Sequence, residues 1–144
     1  MVSIAAFASF AVVTAQASTP TEAPPAQQLA RNTSEQERNA VKIPLELYLQ
    51  GQATDQGDFF RKAFYRDARI IGYSASSRKF VDLSVEQFAG NFVGKNPEDP
   101  QTHHRSFEIL EITGTVAVAR VSSDLPESRY ADYMSLQKLD GEWK

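Results

Sequence analysis

The chain carries two histidines, His103 and His104, side by side. Histidine is the side chain that titrates nearest neutral pH, so an imidazole base here must be one of these two. They open a run, His104 to Thr113, that reads as a β-strand, in which neighbours point to opposite faces. At most one of them can therefore face an interior site. Strict alternation puts His104 with Ser106, Glu108, Leu110 and Ile112, and His103 with Phe107 and Ile109. Asp132 falls in mid-strand in another run, Arg129 to Leu139, where an acidic residue is disfavoured unless paired or functional. A His104–Asp132 dyad across strands would orient an imidazole for proton abstraction. The plainer alternative is a surface histidine near a loop, with Asp132 neutralised by Arg105 or Arg120. Tyr48, Tyr73 and Tyr133 offer phenolic hydroxyls that can stabilise a ligand oxygen, or that cap the rim of core rings.

Such groups need a wall around them, and the stretch Asp58 to Tyr73 supplies one. Phe59, Phe60, Ala63 and Phe64 share one flank of a helix. Ala68 to Tyr73, with the β-branched pair Ile70-Ile71, reads as a strand. Tyr65-Arg66-Asp67 makes the turn between them, where Asp67 is suited to an Asx-type backbone bond. Ser84 and Gln87 form a capping box for another helix whose apolar stripe is Val85, Phe88, Ala89 and Phe92. The phenylalanines Phe59, Phe60, Phe64, Phe88 and Phe92 are thus core residues, with some of them lining a pocket beside Tyr48, Tyr73 and Tyr133.

The remaining elements follow in order. A capping box at Ser34 and Glu37 marks the start of a first helix, with Val41, Leu45, Tyr48 and Leu49 as its stripe. Pro44 predicts a kink or a fresh start there. Lys79 to Leu83 pairs with the Ile70 strand as a hairpin. Three longer strands follow, and Asp140-Gly141 is a strong hairpin turn. The run after it, Glu142-Trp-Lys144, reads as a strand cut short. Helices and strands are segregated, which argues for an α+β domain with helices on one face of an antiparallel sheet.

A chain of 144 residues, 42% hydrophobic and 23% charged, fits a single globular domain. A net charge of −3 gives no footprint for nucleic acid. With no cysteine, disulfides, thiolate metal sites and cysteine nucleophiles are excluded. There is no Gly-rich phosphate loop, no metal-ligand spacing and no Gly-x-Ser-x-Gly elbow, so no metal or cofactor is expected. Ile4 to Ala15 is apolar, and Ala15-Gln16-Ala17 matches a leader cleavage pattern. The run is too short to span a bilayer, which takes about 20 residues. The expectation is a signal peptide over 1–17, a disordered Pro-rich linker over 18–33 and a domain over 34–144. The product would be secreted or periplasmic, with no stable membrane span once the leader is removed.

Three phrases carry a resemblance: Pro44-Leu-Glu-Leu-Tyr-Leu-Gln-Gly51, Phe64-Tyr-Arg-Asp-Ala-Arg-Ile70, and Tyr130-Ala-Asp-Tyr-Met-Ser-Leu136 with Asp140-Gly-Glu-Trp-Lys144. Together with the element order, they resemble the nuclear transport factor 2-like superfamily, in its SnoaL-like and lumazine-binding branch. The resemblance implies a cone, a curved antiparallel sheet wrapped around about three helices with a cavity at the wide end. It also implies that Asp67, near the cavity mouth, is a candidate general base. Fold alone does not choose among the activities of that superfamily. The expected role is binding of a small apolar or aromatic molecule. The alternatives are a cofactor-free isomerase or dehydratase using Asp67 or the His104–Asp132 pair, and a dimerisation module that forms a homodimer through the sheet.

Overall fold

A computed structural model describes residues 25–74 and 78–144 of the chain, with side chains from Ser34 onward. The elements are α1 (Pro25–Thr54), α2 (Gly57–Ala63), β1 (Arg69–Ser74), β2 (Lys79–Ser84), α3 (Val85–Ala89), β3 (His104–Thr113), β4 (Val116–Leu125), β5 (Ser128–Leu139) and β6 (Glu142–Trp143). The first correction concerns α1, which starts at Pro25 rather than Ser34. Proline suits the first position of a helix, and Ala26 to Arg31 are strong helix formers, so residues 25–33 are helical where a disordered segment is expected. Residues 1–17 and 18–24 lie outside the described residues.

Ser34 and Glu37 consequently lie inside the helix and form no cap. The helix also continues through Pro44. An interior proline costs about 3 kcal/mol. Burial of Val41, Leu45 and Tyr48 on the same face exceeds that, at about 1.5–3 kcal/mol for each aliphatic side chain. Among the described residues, no helix is long and apolar enough to cross a membrane.

Strands β1 and β2 form a separate antiparallel hairpin, while the main antiparallel sheet has the order β3-β4-β5-β6. Asp140 and Gly141 both adopt positive φ, +50° and +87°, as the β5–β6 turn demands. Alternation sets the inner face in cross-strand rows: Arg105, Ser123 and Tyr130; then Phe107, Val121 and Asp132; then Ile109, Ala119 and Met134. Here β3 breaks the expected parity. A bulge between Ile109 and Glu111 inserts one residue, so Ile112 turns inward into a row with Ala117 and Leu136.

Helix α1 lies on this inner face, where the small, fully buried Ala117 and Ala119 let it approach closely. Helix α2 packs nearby, with the Phe60 ring lying against Gly51 of α1. A methyl group at Gly51 would lie 2.7 Å from that ring. Glu37 ties the sheet to the helix from one end: its carboxylate accepts from Lys138 Nζ at 2.6 Å and from Trp143 Nε1 at 2.9 Å.

These bonds, Lys138 first and Trp143 second, hold the Glu37 carboxyl below its ordinary value of 4.5. A depressed carboxyl pKa contributes stability that is present above the unfolded value and is lost as pH falls through the folded value. Urea unfolding of Glu37→Gln and wild type should therefore show a stability gap at pH 7 that narrows below about pH 4.5. A gap independent of pH would refute this origin.

Candidate functional site

The site is built on Tyr48, which α1 places at the boundary between two environments. Its ring belongs to an aromatic cluster, edge-on to Phe60 (5.5 Å between centroids) and to Phe64 (5.9 Å), and parallel to Phe88 (6.4 Å). Phe60, Phe88 and Phe92 contact one another at 4.5–5.2 Å, so these three rings fill the interior behind Tyr48. In front of the ring lies a small cleft of about 20 Å³, lined by Pro44, Leu45, Tyr48, Ala63, Phe64, Met134, Ser135, Leu136 and Lys144. The open space is thus a slot between α1, α2 and β5, and a wide cavity is not present there.

The Tyr48 hydroxyl leaves that apolar wall and enters a polar network. It donates to Asp132 Oδ2 at 3.2 Å and accepts from Gln52 Nε2 at 3.1 Å. Burial, followed by the negative charge of Asp132, pushes the phenol pKa well above its ordinary value of 10. Tyr48 therefore stays protonated at neutral pH and remains a donor. The next inner-face row holds Arg105, which grips Glu98 with Nε and Nη2 and Ser123 Oγ with Nη1. The two charged side chains are 12% and 15% exposed. Glu98 reaches the site because its loop is pinned to the end of α1. Asp55, at φ +56°, accepts the Lys95 and Asn96 N–H groups at 2.8 and 3.0 Å, and the Glu98 N–H bonds Ala53 O at 2.9 Å.

Of the residues singled out from the sequence, Tyr48, Phe64 and Asp132 come together here, with Phe60, Phe88 and Phe92 packed behind them. Phe59 is half-buried, with Lys62 Nζ 5.7 Å over its ring. Tyr73 (67% exposed) is on the β1–β2 hairpin and Tyr133 (70%) is on the outer face of the sheet, so neither lines the cleft. Asp67 is exposed beside Arg66, its carboxylate 3.4 Å from Nε. The His104–Asp132 dyad does not form. His104 pairs in register with Asp124 on the outer face, whereas Asp132 points inward from β5. Sequence reasoning missed Gln52, Arg105, Ser123 and Glu98 as site residues. Gln52 was readable as the residue four after Tyr48 on one helix face, and Arg105 and Ser123 by their parity. Glu98 sits in an irregular loop with no periodic signal.

An antiparallel sheet curled around a few helices places the chain in the NTF2-like fold class. Two solved structures share it: an NTF2-like protein of unknown function from Shewanella baltica OS155 (TM-score 0.63, 25% identity, 76% of this chain and 87% of that one), and another from Silicibacter pomeroyi DSS-3 (TM-score 0.65, 14% identity, 77% and 91%). The model of the family described as "Putative lumazine-binding" matches residues 36–144, and the chain belongs to that family. A curated relative, aldolase FrzH of Cladobotryum sp., is 23% identical over 118 residues, covering 81% of this chain and 91% of its own.

The buried ion pair allows a direct check. Arg105→Met leaves Glu98 buried without its partner and should cost about 3–5 kcal/mol in denaturant unfolding. The double variant Arg105→Met/Glu98→Leu should recover most of that loss. Additive losses in the double variant would show that the two side chains do not act as a pair.

Proposed function

We propose that the protein binds a small, largely apolar molecule in the slot between α1, α2 and β5, with the Tyr48–Asp132 pair as its polar anchor. The observation that carries this is the position of Tyr48, whose ring forms the wall of the slot while its hydroxyl is held by Asp132. An apolar lining with a few placed polar groups is the usual make-up of a ligand site. Membership of a family described as lumazine-binding supports a small-molecule ligand. The test is a methyl-NMR titration with small aromatic molecules. Met134 and Leu136 signals should shift saturably, and Met134→Ala should weaken binding by about tenfold, the scale of losing one buried contact surface. Shifts confined to the outer face of the sheet would sink the reading.

A second reading is a cofactor-free enzyme working by proton transfer, and Asp132 favours it. One oxygen of its carboxylate is taken by Tyr48, and among the described residues Oδ1 has no protein hydrogen bond. This oxygen can take the proton from a carbon next to a carbonyl, the electron pair moving to the carbonyl oxygen as an enolate. The relative named an aldolase supports enzymatic activity of some kind. Asp132 is the base in this reading, since of the three candidates it is the one bonded to Tyr48, whose ring lines the slot. Deuterium exchange at the α-carbon of small ketones should fall by about 100-fold or more in Asp132→Asn. Equal rates in both proteins would remove Asp132 from the role.

Two further properties belong to the same proposal. The apolar segment Ile4 to Ala15 and the Ala15-Gln16-Ala17 pattern support export, which N-terminal sequencing of the protein from its native host would check. Exposed Leu110, Val116, Val118 and Tyr133 on the sheet support a homodimer through that face, which the mass in solution decides.

A further inference from the structure

We infer that the β1–β2 hairpin docks on an anionic lipid surface, with Ile71, Tyr73 and Phe80 entering the membrane interface and Arg78 and Lys79 meeting the headgroups. This surface is separate from the slot and does not depend on a ligand there. The first observation is a break in the usual alternation. An antiparallel hairpin with one face covered carries polar residues on the other. In this hairpin Ile70 stands opposite Leu83, Val81 shares their face, and all three are half-buried. The other face holds the cross-strand pair Tyr73–Phe80 and, next to it along β1, Ile71. These three side chains are 67%, 70% and 62% exposed. Three adjoining apolar groups are thus left in solvent where the pattern calls for polar ones, and such a patch marks a docking surface.

The second observation is the charge around the patch. At the end away from the hairpin loop, Arg69 holds Asp82 at 2.7 Å, so that end is neutral. At the loop end stand Arg78 and Lys79, both exposed, and among the described residues neither joins an ion pair. Asp82 is the one acidic residue between Arg69 and Ser84. The loop end is therefore a cationic spot on a chain whose net charge is −3. Size decides between a lipid surface and a protein partner. At about 150–250 Å² per aromatic side chain, three side chains exposed by about two-thirds offer on the order of 300–400 Å². A stable protein interface takes about 800 Å² from each partner. A bilayer needs no such matched area. Phenyl and phenol rings suit the boundary between headgroups and acyl chains. Lysine and arginine beside them lay their stems on the apolar layer while their charges reach anionic headgroups.

The test uses the full chain with vesicles of phosphatidylcholine alone or of an equal mixture with phosphatidylglycerol. The chain has a single tryptophan, Trp143, which is buried, so the emission of Phe80→Trp reports on the hairpin. That emission should shift to the blue on the mixed vesicles, and less so in high salt. In co-sedimentation with the mixed vesicles, Arg78→Ala/Lys79→Ala should weaken binding about 30-fold, roughly fivefold for each cation at an anionic surface. Tyr73→Ser/Phe80→Ser should weaken it by at least about tenfold. Circular dichroism confirms that both double variants are folded. An unshifted Phe80→Trp emission, or equal binding to the two kinds of vesicle, overturns the inference. So does sedimentation unchanged in either double variant, the result expected if the apolar run Ile4 to Ala15 carries the vesicle binding. A fall in solution mass from dimer to monomer in Tyr73→Ser/Phe80→Ser overturns it in favour of a second copy on this face.

Discussion

Helix α1 lying across the inner face of the sheet is the constraint on which the other features depend. It can lie there because the middle of that face is built from Ala117 and Ala119, whose small side chains leave room for Val41, Leu45 and Tyr48. Three polar attachments then set its position along the sheet. Glu37 holds Lys138 and Trp143, Tyr48 holds Asp132, and at its C-terminal end Asp55 holds the loop that carries Glu98. Apolar packing supplies most of the driving force but is tolerant of sliding. Directional bonds fix which helix residue faces which strand residue.

The same attachments shape the site. Because Tyr48 belongs both to the aromatic cluster and to the polar network, it joins the slot to Asp132. The three rings behind it fill the interior there, so what opens beside Tyr48 is a narrow slot along α1. Ion pairing also matters here. Arg105 and Glu98 neutralise one another in a half-closed environment, where an unpaired partner would be costly. Asp132 stands outside the ion pairs, and among the described residues its bonded partner is the Tyr48 hydroxyl.

Much of the fold was legible in the sequence. The capping box at Ser84, the Asp140-Gly141 turn and the order of helices, hairpin and meander follow from local rules, and the structure has them. Two local readings failed for physical reasons. Ser34 carries a good cap signal, but strong helix formers before it and Pro25 at the first position extend the helix past it. Ile112 was expected to share a face with His104, but the bulge after Ile109 reverses the alternation, and single-residue insertions leave little trace in an apolar run.

The sequence by itself determined which elements form, and that a strand opens at His104. It also determined that Asp132 needs a partner, since a carboxylate in mid-strand is costly alone. Only the tertiary structure decided which face the helices cover. A period of two is symmetric about the sheet plane, and β3 carries apolar and polar groups on both sides. Once α1 covers the face of Ala117 and Ala119, Asp132 meets Tyr48 and His104 is left on the opposite side. Partner choice across 84 residues of chain is a property of packing, because no local pattern records which surface will be buried against it.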